Sequence, residues 1–283
     1  MILPVYYKNY LEKVDKGFQL MSTKKVVVCA LARNNADKLP SFFSRLGSLE
    51  RFFRQADTVL VENDSTDNTA EMLEDFKVSH TRSLEPCIGH TWLQSEKLGK
   101  KFFGPDDTVA RAQHMAECRN KYLKLTRGNR SGSDFVIVVD ADLFAWEIQG
   151  LANSFGWHEE LKWNAMFSNG LDIYRDNLIY YDTWSHIGLG GNVEKKTKMP
   201  YPMYHEPVPV KSGFGGLAIY EMSAILAGEY SGLPQGAEHC GLHDSMERKG
   251  YNKFYINPSQ TTLRMDKEIL KGNSKKVQQA LGV

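Results

Sequence analysis

DFVIVVDAD, Asp134 to Asp142, is the stretch whose reading decides the fold. Five consecutive apolar residues, four of them β-branched, make a strand that is buried on both faces, as in a parallel sheet covered by helices. The strand runs directly into two carboxylates, Asp140 and Asp142, separated by Ala141. In open α/β sheets ligands bind beyond the carboxyl ends of the strands, so both acids are expected at a binding site. Two carboxylates placed this way can hold a hard divalent cation, and that cation can neutralise a diphosphate. The bare pattern D-x-D also describes solvated turn aspartates. The apolar strand immediately before it is what favours the metal reading.

Upstream of this strand the pattern alternates. Lys25 to Leu31 is a β-branched run, and a helix with Pro40 in its first turn follows to about Arg54. Phe42, Phe43, Leu46, Leu49, Phe52 and Phe53 give that helix an apolar stripe. A second strand, Thr58 to Glu62, is followed by a short helix, about Thr69 to Phe76, and a brief strand, Lys77 to Thr81. A looser region spans Ser83 to Pro105, and a long helix runs from roughly Thr108 to Thr126. GNRSGS, Gly128 to Ser133, reads as a break. Downstream, shorter apolar segments (Ala165 to Ser168, Leu178 to Tyr181, Gly216 to Tyr220, Lys253 to Ile256) alternate with Gly, Pro and aromatic loops. The reading is an α/β fold with a mixed, mostly parallel central sheet flanked by helices, in a single compact domain with two lobes. Residues 1–23 form an N-terminal helical extension to it.

Composition narrows the function. The chain has 283 residues, 35 Lys plus Arg and 34 Asp plus Glu, for a formal net charge of +1. No positive excess supports a nucleic-acid partner. A hydrophobic content of 42% excludes a largely disordered chain. Cys29, Cys87, Cys118 and Cys240 contain no CxxC pair, so neither a zinc site nor a disulfide scaffold is indicated, and a reducing compartment is favoured. Apolar runs reach about seven residues, far short of the ~20 needed for a membrane span. The expectation is a soluble cytoplasmic protein, at most peripheral to a membrane.

Other motifs stand at strand ends. Ala30-Leu31-Ala32-Arg33 ends the first strand: small residues let a flat base approach the backbone, and Arg33 can meet a phosphate. Neither GxGxxG nor GxxxxGK[ST] is present. Glu62-Asn63-Asp64-Ser65-Thr66-Asp67 ends the second strand. Its acids can accept from a base or a ribose, or can cap the helix that follows. Arg119 lies in the long helix and can reach a phosphate or orient the Asp pair. Glu238-His239-Cys240-Gly241-Leu242-His243-Asp244 is dense in titratable groups: Glu238 can act as a base or stabilise a positively charged sugar. His239 and His243 are both open as a third metal ligand, with His243 preferred. Phe214-Gly215-Gly216 permits close backbone approach to a ligand. Asp172 and Asp182 can accept hydroxyls. Of Trp157, Trp163, Tyr174, Tyr180, Tyr181 and Trp184, most are expected in the core rather than against a sugar.

Taken in order, ALARN, ENDSTD, RN, FVIVVDAD, FGG and EHCGLH resemble a GT-A glycosyltransferase. More closely, the chain resembles the fungal capsule-associated α-1,3-mannosyltransferase family and its microbial and viral relatives. VENDSTDNT, Asp140-Ala141-Asp142 and SGFGGLAIY carry the likeness, across about residues 24 to 260. The resemblance implies metal-dependent transfer from a GDP- or UDP-sugar to a glycan or glycoprotein hydroxyl, with retention. In it Glu62, Asp64 and Asp67 contact the nucleotide, the Asp pair holds Mn²⁺ or Mg²⁺ with the diphosphate, and the Glu238 to His243 cluster completes the site. Residues 24–145 are then the nucleotide-sugar half and 146–283 the acceptor-binding and catalytic half. A non-catalytic carbohydrate- or nucleotide-binding module and a sugar nucleotidyltransferase are the alternatives.

Overall fold

A computed structural model describes residues 5–83, 89–100, 103, 108–130, 132–174, 177–191, 199–233 and 236–264. The first half runs α1 (Val5–Met21), β1 (Lys25–Ala32), α2 (Leu39–Glu50), β2 (Gln55–Asn63), α3 (Thr69–Ser83), β3 (Thr91–Glu96), α4 (Val109–Arg130) and β4 (Phe135–Val139). The second half runs β5 (Ala145–Trp146), α5 (Ile148–Gly156), α6 (His158–Leu161), β6 (Ala165–Tyr174), β7 (Asn177–Tyr180), β8 (Val208–Val210), β9 (Leu217–Glu221), α7 (Met222–Ala227), α8 (Glu238–Glu247) and β10 (Phe254–Leu263).

The strands form one mixed sheet in the order β3-β2-β1-β4-β9-β6-β10-β5, with β7 on β6 and β8 on β10. β3, β2, β1 and β4 are mutually parallel, so their carboxyl ends share one edge. Antiparallel β9 joins β4 to β6 and brings the Gly215–Gly216 turn to that same edge, where Asp140 N donates to Gly216 O at 2.9 Å.

Burial on both faces explains the apolar runs. Val26, Val28 and Ala30 of β1 face α1, α2 and α5, whereas Val27 and Cys29 face Tyr122 and Leu123 of α4. The result is two helical layers sandwiching a sheet. α1 docks on α5 by backbone approach: a Cβ on Gly156 would lie 1.9 Å from Lys13 O, and one on Gly17 would lie 1.6 Å from Ala152 O. Cys29, Cys118 and Cys240 are buried and free, while Cys87 lies outside the described residues. Among the described residues no helix is long and apolar enough to cross a membrane.

Three local expectations change. Lys77 to Thr81 is helical, not a strand, because α3 continues to Ser83. Its β-branched residues suggested a strand, but Leu73, Phe76 and His80 recur at helical spacing and pack inward. Phe76 stacks on Phe43 at 4.0 Å and His80 Nε2 meets Glu50 Oε2 at 2.7 Å. The missing strand is β3, inside the region read as loose. Finally, α4 runs past Gly128 to Arg130, with Arg127 Nη2 donating to Leu226 O at 2.9 Å.

Candidate active site

The two turns that leave β1 and β2 are laced together. Asn34 and Asp64 both take left-handed backbone, φ 54° and 53°, conformations that Asn and Asp tolerate better than most residues. Asn34 Oδ1 accepts from Thr66 N at 2.8 Å, and Asn34 N donates to Ser65 Oγ at 3.1 Å. Asp67 accepts from Thr69 N at 3.0 Å, at the start of α3, and from Ala36 N at 3.2 Å. Glu62 accepts from Ser65 N at 2.8 Å and from Ser95 Oγ. Asp64 accepts from Gly99 N at 2.9 Å and Lys100 N at 3.2 Å. The carboxylates of Glu62, Asp64 and Asp67 are thus engaged in building the rim. Neighbouring Asn63 and Arg33 line the cleft instead, and Arg33 Nη2 donates to Lys100 O at 2.7 Å. Ala32 also lines the cleft, while Ala30 is packed in the core.

That cleft has a volume of about 500 Å³ and opens at the shared carboxyl edge of the parallel strands. Asp140, Ala141 and Asp142 form part of its wall. Behind Asp140 sits the guanidinium of Arg119, which is only 3% exposed. Its Nη2 is 3.1 Å from Asp140 Oδ1 and its Nε 2.7 Å from Glu238 Oε1, so one buried cation joins the two acids. It also lies 5.1 Å from the Phe214 ring centre. Burial pushes the Asp140 carboxyl up, to about 7; Arg119 pulls it down and the like charge of Asp142 pushes it further up.

α8 presents its first turn to the cleft. Glu238 and His239 line it, but His243, one turn further along, does not. His243 instead places Nδ1 2.8 Å from Ser212 Oγ and Nε2 3.0 Å from Tyr220 OH, within a nest of Phe167 and Phe254. The structure therefore does not bring the preferred histidine to the Asp pair, because both of its nitrogens are engaged in the core. His239 differs. It stacks on Phe214 at 3.7 Å, and neither ring nitrogen has a hydrogen-bond partner. Burial, with Arg119 and His243 adding to it, holds its pKa well below the usual value, so the imidazole is neutral.

Phe214 lines the cleft, and Gly215 and Gly216 turn the chain behind it with φ of 65° and 79°. Gly215 N donates to Asp182 Oδ2 at 2.8 Å, which fixes Asp182 in the cleft wall. Burial raises the Asp182 pKa, against hydrogen bonds from Gly215 and Ser185. Asp172 stands outside the cleft lining, and its Oδ1 accepts from Ile173 N at 2.7 Å. Tyr181 and Trp184 line the cleft, while Trp157, Trp163 and Tyr180 are core residues; the side chain of Tyr174 lies outside the described residues.

Several cleft residues escaped the sequence reading. Arg111, His114, Met115 and Cys118 line it from α4, on the same face as Arg119, which the sequence singles out. Their spacing of i, i+3, i+4, i+7 and i+8 marks one helical face, a signal that was present but polar and therefore easily read as a solvated face. Arg264 also lines the cleft, and it had no such signal. Its charge is favoured by Asp142, Tyr181, Asp172 and Asp140, against the cost of its burial.

The fold is that of GT-A glycosyltransferases. The mannosyltransferase PcManGT from Pyrobaculum calidifontis aligns with a TM-score of 0.52 at 15% identity, over 92% of this chain and 65% of that one. TarS residues 1–349 from S. aureus align with a TM-score of 0.50 at 16% identity, over 85% of this chain and 60% of that one. The chain thus spans about three-fifths to two-thirds of the length of these relatives. No curated protein matches it in sequence. Residues 25–253 match the family described as cryptococcal mannosyltransferase 1, and the chain belongs to that family.

Proposed function

We propose that this chain is a metal-dependent glycosyltransferase. It moves a sugar from a GDP- or UDP-sugar to a hydroxyl of a glycan or glycoprotein acceptor, with retention at the anomeric carbon. The observation that carries the reading is the Asp140–Asp142 pair at a strand end, backed by the buried Arg119–Glu238 pair, in a cleft of about 500 Å³. Membership of a mannosyltransferase family supports it, as does the shared fold of the Pyrobaculum enzyme, whose structure holds GDP-Man and Mn²⁺.

The residues fit a hard cation that arrives with its donor. Asp140 is pushed up partly by its like-charged neighbour, a repulsion that a cation relieves. His239 offers a neutral imidazole with no hydrogen-bond partner, its Nε2 3.6 Å from Glu238 Oε1. Among the described residues no three His, Cys, Asp or Glu side chains gather around one point. That fits Mg²⁺ or Mn²⁺ held by one or two carboxylates together with substrate phosphates. Asp140 and Asp142 are the proposed ligands, with His239 beside them. When bound, the cation offsets charge developing on the departing nucleoside diphosphate.

The protein residues do the rest. Arg33, Asn63 and the α4 face of His114 and Cys118 hold the nucleoside end. Glu238, anchored by Arg119, faces the sugar and stabilises positive charge at its anomeric carbon. The acceptor oxygen bonds to that carbon as the bond to the phosphate oxygen breaks, on the same face. The acceptor proton passes to the departing phosphate oxygen. Asp182, fixed by Gly215, orients the acceptor hydroxyl.

Product analysis with GDP- and UDP-sugars tests the reading. A nucleoside diphosphate should be released, with retained anomeric configuration by NMR. Asp142→Asn should lower kcat by on the order of 10²–10³-fold and remove the response to Mn²⁺. Release of pyrophosphate, or full activity in Asp142→Asn, would replace the reading.

A further inference from the structure

Five consecutive residues, Tyr181-Asp182-Thr183-Trp184-Ser185, line the cleft on the turn that leaves β7. The turn is tied down along its length. Tyr181 N donates to Gly170 O at 3.1 Å, and Gly215 N donates to Asp182 Oδ2 at 2.8 Å. Ala237 N donates to Trp184 O at 3.2 Å, and Cys240 Sγ meets Ser185 O at 3.5 Å.

The two aromatic rings of this turn differ in what the fold asks of them. Tyr181 fills space that two glycines leave open: a Cβ on Gly216 would lie 2.2 Å from its hydroxyl, and one on Gly170 would lie 2.7 Å from its ring. Trp184 fills no such space. Trp146, Trp157 and Trp163 belong to the apolar core and Trp92 packs against it, whereas Trp184 joins neither core cluster. It is partly exposed and lines the cleft. Among the described residues its one ring partner is Arg111, whose guanidinium carbon lies 5.6 Å from the ring centre. Arg111 covers one face of the indole and leaves the other without a stacking partner.

A large apolar ring kept partly in water forgoes the free energy of burial. Here the backbone beneath it is fixed and the ring is not used for packing. What suits such a ring is a ligand with an apolar face and a polar rim. A pyranose has that form, with C–H groups on a face and hydroxyls around its edge. Asp182, two residues earlier, supplies an acceptor for those hydroxyls. Ala237, which holds Trp184 O, directly precedes Glu238, so the ring stands beside the residue proposed to face the anomeric carbon.

We propose that Trp184 is the platform on which the ring of a pyranoside acceptor stacks. The indole thereby selects a sugar hydroxyl, not the hydroxyl of a peptide Ser or Thr, as the group that receives the transferred sugar. This rests on the glycosyltransferase reading and narrows its acceptor to a carbohydrate.

The test uses the full chain with Mn²⁺ and whichever of GDP-mannose and UDP-glucose it turns over. Acceptors are the methyl pyranosides of mannose, glucose, galactose and xylose, and a Ser/Thr peptide. At least one glycoside should be used in preference to the peptide. Trp184→Ala should raise the KM for that glycoside by about tenfold, and Trp184→Phe should restore part of the loss. The thermal shift given by the nucleotide sugar should be unchanged in both variants, which a general loosening of the cleft would not allow. An unchanged glycoside KM in Trp184→Ala overturns the platform, as does preference for the peptide or failure to use any glycoside. Loss of the nucleotide-sugar shift in Trp184→Ala also overturns it, because the ring then serves the donor. If neither donor is turned over, the glycosyltransferase reading fails, and saturation-transfer NMR with the four glycosides decides the platform separately. Signals that Trp184→Ala abolishes uphold saccharide binding at this ring; no signals, or signals that survive, overturn it.

Discussion

Arg119 is the residue on which the site turns. A buried guanidinium with carboxylates on two sides cannot lose its charge, and neither acid can turn away without leaving a cation unpaired. Its pKa is driven well above the usual value by Tyr122, Glu238 and Asp140, against the cost of burial. Arg119→Met should therefore destabilise the fold by about 3–5 kcal/mol, the usual cost of breaking a buried pair, read from urea unfolding. Arg119→Lys keeps the charge but not the fork. It should recover much of that stability while kcat stays down by on the order of 10-fold to 10²-fold, with KM little changed, if Glu238 acts on the reacting centre as proposed and is displaced by the loss of the fork. Recovery of kcat together with stability would reduce Arg119 to a structural role. The histidines teach the same lesson from the other side. His239 and His243 are four apart on one helix, so spacing put them on the same face. Packing separated them: Ser212 and Tyr220 take both nitrogens of His243 and leave His239 at the cleft.

Among the elements, the laced turns and the docked first helix show how the rim and the edge of the fold are held. Asp64 clasps Gly99 and Lys100 to the end of β2. Desolvation raises its pKa, but hydrogen bonds from Asn63 and from the backbone at 98–100 together outweigh this and lower it from 3.8 to about 2. A depressed carboxyl stabilises the fold above its ordinary 3.8, and that contribution is lost as pH falls toward about 2. Asp64→Asn should thus flatten the decline of stability across that window, seen in acid-titrated denaturant melts. An unchanged slope would show that the clasp adds nothing to the fold. At the opposite edge, Gly156 lets α5 meet α1 backbone to backbone. Gly156→Val should force the helices apart at a cost of about 1–3 kcal/mol, and hydrogen exchange should then detect α1 opening before the sheet. The segment Lys77 to Thr81 shows why such elements are hard to read. Its β-branched residues favour a strand locally, but contacts with Phe43 and Glu50, about thirty residues away in sequence, make it helical.

For the whole molecule, the sheet is what makes the cleft. Four parallel strands and the return strand β9 bring segments from residue 32 to residue 264 to one edge. Binding there should be felt by the entire fold: at about 100 times its Kd, the cognate nucleotide sugar with Mn²⁺ should add about 2.7 kcal/mol of stability. A thermal-shift panel of GDP- and UDP-sugars should therefore single out the donor, and omission of Mn²⁺ should erase the shift. The sequence by itself determined the α/β alternation, the buried strand that ends in Asp140 and Asp142, and the glycine turn after Phe214. Those are local properties: apolar period, β-branched runs and the residue types at strand ends. Only the tertiary structure decided that Glu62, Asp64 and Asp67 build the rim, that His239 rather than His243 meets the cleft, and that Arg111, His114 and Arg264 join it. A polar side chain's role depends on which partner reaches it first. Those partners come from distant segments that only the folded sheet brings together.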